Sequence, residues 1–173
     1  MRLDDIRKEI NEIDDKMKAL FDARMECTRK VAEVKSNTGD SIYKPIREKE
    51  MYERFKDNQE YVSFLKKVVQ LSRKKQYEFF LDNNKKDDLL EKFKSEELNG
   101  EELQLCLKTD KSCEKGLDKK SVLSIIAESS LEIEKLEVTN TEDFVFVTLN
   151  VPENEISQKE AYLIKYMLES ETL

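Results

Sequence analysis

The chain has 173 residues, 40% of them charged and 38% hydrophobic, with three glycines, two prolines and no histidine, a composition that favours long solvated helices over extended disorder and argues against zinc or triad chemistry. Its net charge of −7 argues against nucleic acid as the main partner. No apolar run reaches membrane-spanning length and the start is charged throughout, so a soluble, cytoplasmic protein that does not enter the membrane is expected.

The first helix is expected over residues 4–37, ending before Gly39, the preferred residue just past a helix C-terminus. Steps of three and four from Leu3 give Leu3, Ile6, Ile10, Ile13, Met17, Leu20, Arg24, Cys27, Val31 and Val34, a coiled-coil seam with one guanidinium set into it. A lone desolvated cation costs several kcal/mol, so Arg24 needs either a carboxylate partner or an anionic ligand. Cys27 lies on the seam, and with Cys106 and Cys113 it makes an odd number, which favours reduced thiols over a disulfide framework or a metal site.

Pro45 then opens a short second helix, with Glu48 and Glu50 near its positive end. A third is expected over residues 61–81, where the three-four rhythm runs Val62, Leu65, Val69, Ser72, Gln76 and Phe79. Ser72 and Gln76 interrupt this apolar stripe one helical turn apart, and natural sequences break the binary pattern mostly at functional sites. The run Arg73-Lys74-Lys75 reads as solvated helix surface.

Residues 82–100, highly charged and poor in apolar side chains, read as a linker with room for a short helix. Beyond it, Leu103, Leu105 and Leu107 alternate with polar residues, a helix follows over 121–130, strands over 131–138 and 144–151, and a last helix over 157–168. The expected fold class is therefore an all-α domain of three helices over residues 1–81, a linker over 82–100, and a small α+β domain over 101–173. Residues 1–83 carry 19 Lys+Arg against 17 Asp+Glu and residues 84–173 carry 12 against 21, so the halves are expected to do different jobs.

A first helix of about 34 residues is about 50 Å long, and the stripe on the third covers only about half of that. A second copy packed antiparallel along helix one buries the remainder, so a homodimer is expected. Arg7 flanks the seam about 25 Å from Arg24, too far to share a ligand within one chain, but an antiparallel partner delivers it to the other subunit.

The run IRKEINEIDDKMKALFDARMECTRKVAEVK, then KPIRE, then SRKKQ, over residues 3–81, resembles the all-helical class of chorismate mutases. The resemblance implies an intertwined dimer with two sites between subunits, and a pocket lined by Arg7, Arg24, Lys35, Arg47, Glu48, Ser72 and Gln76. It also implies the rearrangement of chorismate to prephenate in aromatic amino-acid biosynthesis, with no metal and no cofactor. On that reading Arg24, Lys35 and Gln76 are catalytic. Arg7 and Arg24 grip carboxylates, Arg47 and Ser72 complete those contacts, Lys35 and Gln76 donate to the ether oxygen, and Glu48 accepts from the ring hydroxyl. One departure stands out: the family often has an acidic residue three positions before Arg47, where this chain has Lys44.

Residues 119–151 loosely resemble the ACT-type modules that bind amino-acid effectors, which implies an aromatic amino acid as regulator. No final strand is expected after the last helix, and a dimer-supporting appendage is the alternative; Gly116 and an open sheet edge suit pairing between copies. For the helical domain the alternatives are an isochorismate-pyruvate lyase on the same scaffold, or a non-catalytic coiled-coil dimerisation protein in which Arg24 fixes register.

Overall fold

The computed structural model describes residues 2–83, 102–108, 119–127, 129–131, 133, 135–140, 144–150 and 155–172. Most of the expected linker, and Gly116, lie outside them. Three helices come first: α1 (Leu3–Thr38), α2 (Pro45–Glu53) and α3 (Gln59–Asp82). Then follow β1 (Glu102–Lys108), α4 (Lys119–Ala127), β2 (Lys135–Asn140), β3 (Phe144–Asn150) and α5 (Glu155–Thr172).

Local chemistry sets the helix ends. Gly39, at φ 73°, takes the left-handed position after α1 and donates its N–H to the Lys35 carbonyl at 2.8 Å. Asp40 donates to the same carbonyl at 3.2 Å, so the turn stops where an orphan carbonyl is doubly satisfied. Pro45 occupies the first turn of α2, and the Asn58 side chain caps α3 by accepting from the Tyr61 N–H at 2.9 Å.

The two long helices meet along α1's C-terminal half. There α1 buries Thr28 and Ala32, with Arg24 and Lys35 half-buried on the same four-residue stripe, against Val62, Leu65, Val69, Ser72 and Gln76 of α3. The seam itself is left open within the chain: Leu3, Ile10, Ile13, Met17 and Leu20 are 47–72% exposed.

α3 has a second buried face. Tyr77 packs edge-on to Tyr166 of α5 at 5.3 Å, and one core takes in Ile42 from the α1–α2 loop, Tyr77, Ile125 and Ile126 of α4, Val147 and Leu149 of β3, and Ile164, Met167 and Leu168 of α5. The sheet is antiparallel in the order β1-β3-β2, with Leu105 and Val138 both opposite Val147.

Several boundaries differ from expectation: α4 runs over Lys119–Ala127 rather than the expected 121–130, α5 starts two residues early, and two further differences have a visible cause. The strand anticipated from Leu131 begins at Lys135, because Ser129 folds the chain into a turn: its hydroxyl donates to the Ile126 carbonyl at 2.6 Å and accepts from the Leu131 N–H at 3.4 Å. Leu131 drops into the core instead. The last helix runs past Leu168 to Thr172, and this extra turn carries Glu171 into the interior.

Candidate active site

The α1–α3 contact brings three of the expected residues together. Arg24 donates through Nη1 to the Ser72 hydroxyl and, at 3.5 Å, to the Val68 carbonyl, while Ser72 passes its own hydrogen to Val68 at 2.8 Å. Both partners are neutral. Among the described residues no carboxylate pairs with this half-buried guanidinium, so its charge is free for an anion. One turn further along α3, Gln76 donates through Nε2 to the Ser72 carbonyl at 3.2 Å, and its buried Oε1 has no partner. A polar atom so placed either faces a ligand or marks an amide free to turn toward one.

The end of α1 and the start of α2 supply the second group. Lys35 donates to the Ile42 carbonyl at 2.7 Å. Burial lowers its pKa below the ordinary lysine value, and the positive charges of Lys44 and Arg47 lower it further against the opposing pull of Asp40 and Glu48. Several cations thus crowd one place, an arrangement that a bound anion relieves. Lys44, the departure from the expected pattern, pairs with Asp40 at 3.1 Å. Arg47 is exposed beside Glu48 on α2.

Arg7 does not join them. It is exposed on the uncovered half of α1, 3.5 Å from Asp4, and 17 residues of helix put it about 25 Å from Arg24.

The basic run on α3 is not solvated surface as expected. Lys75 is exposed and reaches Glu78 at 2.6 Å, but Lys74 pairs with Glu160 of α5 and Arg73 is buried. Arg73 donates to Glu48 Oε2 at 2.6 Å, and its Nε lies 2.8 Å from Glu171 Oε1. Tyr43 covers the guanidinium at 5.0 Å. Tyr52 donates to the same Glu48 oxygen at 3.2 Å.

Charge explains this cluster. Burial works against ionised Arg73, but Glu171 and Glu48 outweigh it and hold the guanidinium charged. One cation between two carboxylates neutralises only one fully. Glu171, the more buried, is pushed up to about 7 by desolvation, despite Arg73, and Glu48's like charge adds to the rise. Arg73, Tyr52 and Glu171 were not singled out by periodicity; the available signal was Arg73's position next to Ser72, one step round the helix toward the Tyr77 face.

The family model described as Chorismate mutase type II matches residues 6–135, which takes in α1 from Ile6, α2 and α3 and continues through β1 and α4 to the first residue of β2. No curated protein and no solved structure gives a match.

Proposed function

The chain belongs to the type II chorismate mutase family, a family of isomerases, and from that premise we propose that it rearranges chorismate to prephenate in a site shared between two subunits. The reaction is unimolecular: a carbon–oxygen ether bond breaks as a carbon–carbon bond forms. No nucleophile, proton shuttle, metal or cofactor is required, so a chain without histidine suffices.

What the substrate needs is confinement of a dianion in a compact conformer. Arg24 and Arg7 of the partner subunit take its carboxylates, with Arg47 and Ser72 completing the contacts. Lys35 and the Gln76 amide donate to the ether oxygen as negative charge grows there, and donors whose bonds strengthen only in the transition state accelerate the step. Glu48 accepts from the ring hydroxyl. The observation that carries this reading is Arg24, a half-buried cation with only neutral partners among the described residues.

The dimer is part of this reading, and α1 supports it. Its N-terminal half exposes Leu3, Ile6, Ile10, Ile13, Met17 and Leu20 along one stripe, and an antiparallel copy covers that stripe while bringing Arg7 to the neighbouring Arg24. The α+β unit is read as a brace for this domain rather than a free-standing effector module, because its core takes in Ile42 and Tyr77 of the helical part. Purified protein incubated with chorismate, followed by loss of the substrate's absorbance, tests the proposal. Turnover of isochorismate to pyruvate instead points to the lyase, and no turnover of either to a structural coiled coil.

A further inference from the structure

Glu48 sits in an awkward place for the role just given it. A carboxylate that faces a dianion is repelled by it, and it accepts from a hydroxyl only if one of its oxygens is free and correctly turned. On α2 its side chain is 16% exposed, and nothing on that helix except Tyr52 bonds to it. Its countercharge comes from α3, where Arg73 reaches Glu48 Oε2 at 2.6 Å. Tyr52 uses the same oxygen, so neither of these bonds occupies Oε1.

Arg73 is itself held on three sides. Nη1 meets Glu48, Nε faces Glu171 at 2.8 Å, and the Tyr43 ring lies against the guanidinium. Glu171 has no exposed side-chain surface and comes from the last turn of α5, nearly a hundred residues further along the chain than Arg73. Both of its carboxylate oxygens are buried without a hydrogen-bond partner among the described residues, so the Arg73 guanidinium meets it as a countercharge. Burying a carboxylate this deeply is costly, and a chain that needed only packing there would keep an apolar side chain.

We propose that Arg73 is a positioning residue that holds Glu48 Oε2 and so turns Oε1 toward the ring hydroxyl of the substrate, with Glu171 of α5 holding the Arg73 fork in place. The C-terminal helix thus completes the site in the helical domain without touching substrate. This inference rests on the chorismate mutase reading.

The test is a double-mutant cycle on the full chain, scored by chorismate consumption. Arg73→Met and Glu48→Gln each raise KM roughly 10- to 100-fold, the range for losing a charge-assisted hydrogen bond to substrate, with a smaller change in kcat. Combined, they are no worse than the poorer single variant, because both act through one contact. Arg73→Lys, which keeps the charge but not the fork, recovers part of the loss. Arg73→Met strands a buried carboxylate, so Arg73→Met/Glu171→Met, which removes both charges, serves where the single variant fails to fold; it shows the same raised KM with a melting temperature near that of the parent. Additive losses across the cycle, or an unchanged KM in the charge-neutral pair, overturn the positioning role while leaving the enzyme reading intact. A parent chain inactive on chorismate overturns that reading first, and the role of Arg73 with it.

Discussion

Replacing Arg24 with methionine separates a catalytic cation from a register-fixing one. Two bonds disappear, to the Ser72 hydroxyl and the Val68 carbonyl, but Ser72 keeps its own bond to Val68 at 2.8 Å, so no buried hydroxyl is orphaned. The lost bonds from a charged donor, about 1.5–3 kcal/mol each at most, are offset by relief of the guanidinium's desolvation and by an apolar side chain of similar reach. Net stability should change by no more than about 1 kcal/mol, a melting shift of about 2–4 °C for a chain of this size. Catalysis should respond quite differently. A carboxylate grip realised in the transition state is worth about 3 kcal/mol, so kcat/KM should fall about 100-fold or more. Chorismate depletion and a thermal melt on the same preparation measure both. If kcat/KM stays within about threefold of the parent while the protein becomes more stable, Arg24 is structural and the site assignment is refuted.

Other consequences follow from the same geometry. If Arg7 acts across the dimer, mixing the inactive Arg7→Ala and Arg24→Met variants under subunit exchange should restore about a quarter of parental activity, since half the dimers are mixed and each has one intact site; no recovery on mixing refutes the shared site. Because burial, Lys44 and Arg47 lower the Lys35 pKa, kcat/KM should decline on the alkaline side before an ordinary lysine titrates, and Lys44→Gln, by removing a repelling charge, should move that decline to higher pH. Glu171, at about 7 in the folded chain against 4.5 as its reference, binds more protons folded than unfolded between those values. Stability to denaturant should therefore fall as pH rises through that window, and Glu171→Gln should flatten the slope. Gly39→Ala meets no steric neighbour but forces a side chain into the left-handed region, and should cost about 1 kcal/mol in a denaturant titration.

The sequence by itself determined the elements and much of the candidate site. The spacing of Leu3 to Val34 marked α1 and its open stripe, Gly39 and Pro45 marked where the chain turns, and three polar interruptions, Arg24, Ser72 and Gln76, marked residues that meet in the structure. Such features are local, because a helix repeats every 3.6 residues and a residue that breaks its stripe is visible without knowing what it faces. Only the tertiary structure decided which charges are buried. Glu48, Arg73 and Glu171 lie on three helices, and each by itself looks like an ordinary surface charge. Their pairing depends on α5 crossing α3 at the Tyr77 face and on the last turn that carries Glu171 inward, and no spacing rule along the chain encodes a contact between residues so far apart.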